Sequence, residues 1–543
     1  MKKYLIALSL VGLVTTSCYE KLNITPPNNI TNEQVMKLLE TANSETVVTI
    51  MGALADALPQ AVKSGGYATF NNYYSAYDYQ GQDMVRGSTG NDIVVGNTTP
   101  SGDLGNLYEG LSIRSSASNV NQPYWQRGYA MVHAANKVFN MLTDELVEKN
   151  GTAVLKEYQG RAFLLRAYAY LYLMENYANP YKPGTEQLGV PVYTKYDVGQ
   201  PLQARASSAE VYDSIVAWAN KAISLFEKSG SVGYARNKSG AMNLGVANFI
   251  LARAALCKQD WTTVISACDK LIANYSLMSE NQYVARNEPG TTGEKYVYYA
   301  DNSGFSSLDA NPECILGWEN DQKAYGTVAA WMNFMRGAII TRIDDRLYNK
   351  MDDNDFRKAN FQNDKPFGTF YTAGNGSFTD GSSFEVANYI NFKFAANVGR
   401  GAQVGNSSVS NPGKLDYCMF RVAEAYLMKA EAYAQQGKDN EAKSVLNLLL
   451  SARTKAGATP LTCNTYKDMS GKSALEMVQL QTRIEMWGER GLEWYNNRRW
   501  NIPVNRAGSS DHHNTSMTYS VADMTIQIPD QEINTNNLIV QNP

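Results

Sequence analysis

Apolar side chains recur at intervals of three and four residues along most of this chain, a spacing that gathers them on one face of an α-helix. The pattern predicts helices over residues 123–142, 155–177 and 208–228. From Lys414, the run KLDYCMFRVAEAYLMKAEAYAQQGKDNEAKSVLNLLLSARTKAG predicts an amphipathic helix, a turn at QQGKD, and a second helix closed by Gly457. Within it, Ala430, Tyr433, Gly437, Ala442 and Leu446 fall at the spacings of a tetratricopeptide unit. The alanines let the two helices approach closely, while Tyr433 and Leu446 fill the space between them. A weaker copy spans residues 249–271, with Ala252, Ala255, Val264 and Cys268 at matching places and Trp261 opening the second helix. One such pair cannot bury its own apolar face, so several stacked pairs are expected. The fold class expected is therefore mainly α: a single-domain, tetratricopeptide-like helical-repeat scaffold, with repeats at about residues 121–275 and 414–500.

Two stretches break the helical period. Residues from about 65 to 120 and from about 279 to 412 are rich in Gly, Asn, Ser and Tyr. Connections of that length without structure are uncommon inside a compact domain unless they serve a function. Both are expected to be loop-rich insertions packed on the helices, the arrangement in which rigid elements present a binding surface.

The N-terminus has a different pattern again. MKKYLIALSLVGLVTTSC carries two lysines, an apolar run from Tyr4 to Val14, and small residues before Cys18, which reads as a signal peptide over residues 1–17. Small residues before a cysteine suggest a lipobox, with Cys18 acylated and the mature domain running over 18–543, although Thr15 stands where a leucine is usual. Cleavage there would remove Lys2 and Lys3 and take the formal charge from −3 to −5, which gives nucleic acid or anionic lipid no electrostatic basis for binding. The remaining cysteines, Cys257, Cys268, Cys314, Cys418 and Cys463, are odd in number and scattered, so buried free thiols are expected rather than a disulfide framework.

Catalytic and metal-binding motifs are sparse. His133, His512 and His513 have no HExxH spacing, and His133, in a helical run, is expected in the core. SGKSA at 470–474 mimics the end of a phosphate loop, but Ser473 and Glu476 make a better capping box. MDDNDF at 351–356 lacks the glycine and closing glutamate of an EF-hand and is expected to be a solvated turn. The stretch TRIEMWGERGLEWYNNRRW, residues 482–500, is the most suggestive. On one helix Glu485, Glu489 and Glu493 would form a row, the sort of carboxylate array found in a glycoside hydrolase, and Trp487 and Trp494 would share another face. The alternation of those glutamates with Arg483, Arg490 and Arg498 instead predicts a structural helix laced by local ion pairs. No catalytic residue, metal or cofactor is expected.

Several segments resemble the SusD/RagB family of outer-membrane nutrient-uptake lipoproteins. They are YEKLNITPP after Cys18, YQGRAFLLRAYAYLYLMENY at 158–177 with Arg166-Ala167, the repeat beginning RVAEAYLMKAEAYAQQG, and the closing IQIPDQEINTNNLIVQNP. The 482–500 stretch is similar to the helix before that closing segment, with Arg490 in place of a second glycine and Leu492 where arginine is common. The resemblance implies a non-catalytic protein, lipid-anchored in the outer membrane and facing the exterior. It would capture oligosaccharides for a SusC-like TonB-dependent β-barrel transporter. An oligopeptide ligand is the alternative within the family; a surface hydrolase or an assembly scaffold would be a different class.

Sugar recognition needs aromatic faces for C–H surfaces and charged or amide groups for hydroxyls. Phe70, Tyr73, Tyr74 and Tyr77 have these rings but also the spacing of a buried helical stripe. Tyr79, Asp83 and Arg86 lie beyond that stripe and are the better ligand candidates, together with Tyr108 in a Gly-rich loop. The resemblance adds the insertion before the last repeat, where Trp318, Tyr325 and Trp331 are the candidates.

Overall fold

The computed structural model describes residues 32–64, 79–95, 105–106, 108–118, 121–197, 199–284, 286–289, 296–299, 303–305, 307–319, 341–362, 389–391, 393–394 and 416–543. Cys18, Phe70, Tyr73, Tyr74, Tyr77, Tyr325 and Trp331 lie outside the described residues.

Helices dominate, as the apolar period predicts. Three short ones come first: α1 (Asn32–Thr41), α2 (Ser44–Ala55) and α3 (Leu58–Ser64). They are followed by α4 (Tyr79–Ser88), α5 (Gln122–Met141), α6 (Asp144–Asn150), α7 (Ala153–Tyr177), α8 (Ser208–Ser229), α9 (Leu244–Lys258) and α10 (Trp261–Ile272). The C-terminal part adds α11 (Val422–Gln435), α12 (Asp439–Ala452), α13 (Ala474–Glu485) and α14 (Leu492–Trp500). Consecutive helices pack on one another: α5 on α7, α7 on α8, α8 on α9, α9 on α10, α10 on α11 and α11 on α12. This is a stack of helix pairs, the tetratricopeptide-like scaffold expected.

The ends of these helices follow local chemistry. Ser207 caps α8 in a reciprocal box with Glu210, and Gly230 closes it in the left-handed conformation (φ 64°). Asp260 caps α10, its side chain accepting from the Thr263 backbone N–H. Ser473 and Glu476 form the box expected at the start of α13. The repeat positions behave as spaced: Ala430, Ala442, Ala252, Ala255, Val264 and Cys268 are fully buried, and Gly437 takes φ 70° in the turn between α11 and α12. α7 is buried around nearly its whole circumference, since α5 and α8 flank it on both sides.

Strands are short. β1 (Ile93–Val95), β2 (Cys314–Trp318), β3 (Thr341–Ile343), β4 (Phe361–Gln362), β5 (Ile390–Asn391) and β6 (Tyr417–Arg421) come from the two irregular regions and the residues just after the second. β1, β3, β5 and β4 form one antiparallel sheet in that order, and β2 pairs with β6. Among the described residues the core divides into a large cluster running from α1 to α11 and taking in Trp494 of α14, a second cluster around β1, α12 and α13, and a small third one of Met278, Tyr283, Phe305 and Phe356. Among the described residues no helix is long and apolar enough to cross a membrane.

Four expectations fail. The helix expected from Lys414 begins only at Val422, because Tyr417–Arg421 pairs with β2 as strand β6. His133 is exposed rather than in the core; it lies on the solvent side of α5 with its ring 4.8 Å from that of Tyr196. The MDDNDF turn is only partly solvated: Asp353 is exposed, but Asp355 and Phe356 are buried because Asp355 pairs with Arg357 at 2.6 Å. The 482–500 stretch is not one helix. Gly488, Arg490 and Gly491 all take left-handed backbone (φ 73°, 48° and 62°), so α13 stops at Glu485 and α14 starts at Leu492.

Candidate functional site

The break after α13 decides what the three glutamates do, because it sends each to a different part of the molecule. Glu485 is fully buried and binds three arginines from distant segments: Arg421 at 2.5 Å, Arg357 at 2.8 Å and Arg453 at 3.0 Å. Burial alone would raise its carboxyl, but Arg453, Arg421 and Arg357 outweigh that and hold it well below the usual carboxylate range. Glu489 pairs with Arg421 at 2.7 Å and with the buried Lys393 at 2.6 Å. Lys393 also donates to the carbonyls of Glu485 and Trp487, and burial brings its ammonium down to about 8. Glu313 completes this hub, bridging Arg421 at 2.8 Å and Arg453 at 2.5 Å. These carboxylates are fully occupied with cations and hold the fold together; the hydrolase-like row does not exist.

Glu493 points elsewhere. It accepts the backbone N–H groups of Asn91 (2.7 Å) and Asp92 (3.1 Å), clasping the turn between α4 and β1. Arg483 pairs with Asp92, not with a glutamate of its own stretch. Arg490 pairs with Glu424, and Arg498 donates to the carbonyls of Glu175 and Ala178 at 2.6 Å each. The local ion pairs expected along one helix are therefore replaced by long-range ones. The tryptophans separate as well: Trp494 belongs to the large core, Trp487 to the second, with its indole N–H on the carbonyl of Asp92.

A different arrangement brings the two irregular regions together. Asp83 on α4 accepts the hydroxyl of Tyr417 at 2.5 Å, and the Tyr417 ring lies 4.9 Å from that of Trp318. Trp318 ends β2 and Tyr417 begins β6, so these two residues bracket residues 319–416. Trp318 is 4% exposed and Asp83 6%. Beside Asp83, a cavity of ≈ 30 Å³ is lined by Gln82, Tyr124, Tyr168, Tyr172, Glu175 and Arg490, among others. That is room for a water or two, not for a sugar ring. Its rim is hydroxyl, amide, carboxylate and guanidinium: Tyr172 donates to the Gln82 amide oxygen at 2.5 Å and Tyr124 to the Gln82 carbonyl at 3.0 Å.

The other candidates fall around and away from this point. Tyr79 opens α4. Arg86, 1% exposed, stacks its guanidinium 4.4 Å from the Tyr124 ring and 5.9 Å from that of Trp494. Tyr108 is not brought into the cluster. It is fully buried in the second core, under the Arg506 guanidinium at 4.0 Å, with its hydroxyl bonded to Nδ1 of His512. His512 Nε2 lies 3.0 Å from the Asn91 carbonyl, an acceptor, so Nε2 carries the proton and Nδ1 accepts from Tyr108. Burial, then Arg506, drive the His512 imidazole down to about 2, so it is neutral and structural. Sequence reasoning missed Tyr417, Gln82, Tyr124 and Tyr172. Tyr417 had a usable signal, since KLDYCMF directly follows the second irregular stretch; the others sit in ordinary helical patterns. Among the described residues no group of three or more His, Cys, Asp and Glu could hold a metal.

A stack of helix pairs carrying irregular insertions that meet at one point is a helical-repeat scaffold of the tetratricopeptide-like kind. Two family models match this chain: one described as the SusD family over residues 294–543, and one described as starch-binding, associating with the outer membrane, over residues 40–247. The chain belongs to the SusD/RagB family. No curated protein matches it in sequence. Solved structures match over nearly the whole length. A SusD-like carbohydrate binding protein from Bacteroides vulgatus is 22% identical, with TM-score 0.65 and coverage of 92% of this chain and 97% of its own. A SusD superfamily protein from the same species is 18% identical, with TM-score 0.68 and coverage of 91% and 98%. Another from Parabacteroides distasonis is 15% identical, with TM-score 0.64 and coverage of 92% and 99%. At these identities the likeness is one of fold.

Proposed function

We propose that the chain is a lipid-anchored, non-catalytic glycan-binding protein on the exterior of the outer membrane, which captures oligosaccharides and hands them to a SusC-like TonB-dependent β-barrel transporter. The observation that carries this reading is the meeting of Asp83, Tyr417 and Trp318 where β2 and β6 bracket residues 319–416. Those three side chains are buried against one another and fix the base of the site rather than touch a sugar. The aromatic faces and polar edges that sugar recognition needs fall to the candidates beyond them, Tyr79 at the start of α4 and Tyr325 and Trp331 within the stretch. The family description of starch binding at the outer membrane supports the same class, as does a matched structure described as carbohydrate binding. The ion pairs of Glu485 and Glu489 argue against the hydrolase alternative.

The test is calorimetry of the purified protein against a panel of oligosaccharides and oligopeptides, with Tyr79→Ala and Trp331→Ala variants. Trp318→Ala is a poor choice because that ring is buried and its loss would disturb folding. The expected result is glycan binding in the parent, weakened at least tenfold in a double variant that keeps its melting temperature. Binding of peptides and no glycan would overturn the ligand class.

A further inference from the structure

β2 and β6 form the antiparallel pair that brackets residues 319–416, and each strand carries one cysteine. Gly317 is the cross-strand partner of Cys418. Facing residues of an antiparallel pair send their side chains to the same side of the sheet. Gly317 has no side chain, and the sulfur of Cys314 fills that space: a Cβ added to Gly317 would lie 2.9 Å from Cys314 Sγ. The ladder is irregular between Cys418 and Arg421, and the partner of Arg421 is Cys314. Although Cys314 lies three residues from Gly317 along β2, its sulfur reaches the space over Gly317 and meets the Cys418 side chain there.

Both are thiols in the structure, with weak neutral partners. Cys314 Sγ lies 3.4 Å from the carbonyl of Asn237, and Cys418 Sγ lies 3.7 Å from that of Phe420. Cys314 is buried and Cys418 is half-buried. We propose that Cys314 and Cys418 are a redox pair that closes into a disulfide, fastening β2 to β6 where they bracket residues 319–416. The contact with the Cys314 thiol, then burial, raise the Cys418 thiol well above the ordinary value. Thiolate is the attacking form, so exchange in the folded protein is slow at neutral pH, and closure belongs to folding.

The chemistry balances by thiol–disulfide exchange with a small or protein disulfide. The Cys418 thiolate attacks one sulfur of that disulfide, forming a mixed disulfide and releasing one thiol. The Cys314 thiolate then attacks Cys418 Sγ and releases the second. Two protein thiols are oxidised, two protons leave, and one external disulfide is reduced to two thiols. Cys257, Cys268 and Cys463 sit at other places in the fold and stay reduced.

The experiment needs no knowledge of the ligand or of the protein's location. The full chain is denatured, reduced, and refolded through a buffer of reduced and oxidised glutathione, then quenched with an alkylating agent and mapped by mass spectrometry. The expected result is a cross-linked peptide joining Cys314 to Cys418, with alkylated Cys257, Cys268 and Cys463. In Cys418→Ser the link is absent and Cys314 is alkylated or carries glutathione. A folded parent chain with Cys314 and Cys418 both alkylated, or with Cys314 joined to a different cysteine, overturns the proposal.

Discussion

At the residue scale, the consequences follow from buried charge. Glu485 serves Arg357, Arg421 and Arg453 at once, all at 1% side-chain exposure or less. Replacing it with Gln leaves three guanidinium groups without their shared anion. Removing one partner of a buried ion pair typically costs ~3–5 kcal/mol, so Glu485→Gln is expected to lower the unfolding free energy by that order, measured by urea unfolding. Because the folded carboxyl sits well below its ordinary value of 4.5, the stability it contributes is present above about that pH and is lost as the pH falls further. Glu493 has the opposite sign. Burial, then Asp92, push its carboxyl up to about 8. The folded chain therefore keeps a proton that the unfolded chain releases from pH 4.5 upward, and stability declines as the pH rises from there to about 8. Glu493→Gln removes that dependence. The parent's melting temperature should fall relative to the variant's between pH 5 and pH 8; parallel curves would refute the assignment.

At the element scale, the decisive feature is the turn between α13 and α14. Gly491 has φ 62°, and a Cβ there would stand 2.5 Å from that of Arg86. Gly491→Ala therefore meets both an unfavourable backbone region and a clash with α4, and a loss of ~1–3 kcal/mol is expected in thermal or chemical unfolding. A loss below ~0.5 kcal/mol would mean that α4 shifts freely. The same turn marks the limit of what the sequence conveyed. The helices α5, α7 and α8 were legible to within two residues because their apolar faces repeat locally. The α9–α10 and α11–α12 pairs were legible as pairs but not in their starts, since α9 begins at Leu244 rather than at Phe249 and α11 at Val422 rather than at Lys414. The partners of Glu485, Glu489 and Glu493 were not. Spacing within TRIEMWGERGLEW favours near neighbours, whereas Arg357, Lys393 and Arg421 arrive from segments that no local pattern connects to it. The ligand candidates were legible only as regions. That Asp83 meets Tyr417 depends on strand pairing between residues far apart in the chain.

At the scale of the whole molecule, the anchoring proposal makes a direct prediction. Cys18→Ala should move an otherwise folded protein from the membrane fraction to the soluble one, measured by fractionation and immunoblotting. Continued retention would remove the lipid assignment. The proposed site adds a geometric consistency: Asp83, Tyr417 and Trp318 gather the two irregular regions at one place, while the helical stack forms the body behind them.

The ion hub around Glu485 also bears on when the fold can form. Its members come from Glu313, Arg357, Lys393, Arg421 and Arg453, and the carboxylates they need most, Glu485 and Glu489, are among the last of these to be synthesised. Until those two glutamates are present, Arg357, Arg421, Arg453 and Lys393 share only Asp355 and Glu313 as compensating charge in a site that excludes water, and docking the earlier segments there is unfavourable. Contacts between such distant residues also form slowly, because the chain must close long loops first. A nascent chain would thus remain open until its final segments arrive. If the chain is exported as proposed above and threads a translocation channel before it folds, the placement of two glutamates near the end acts as a delay.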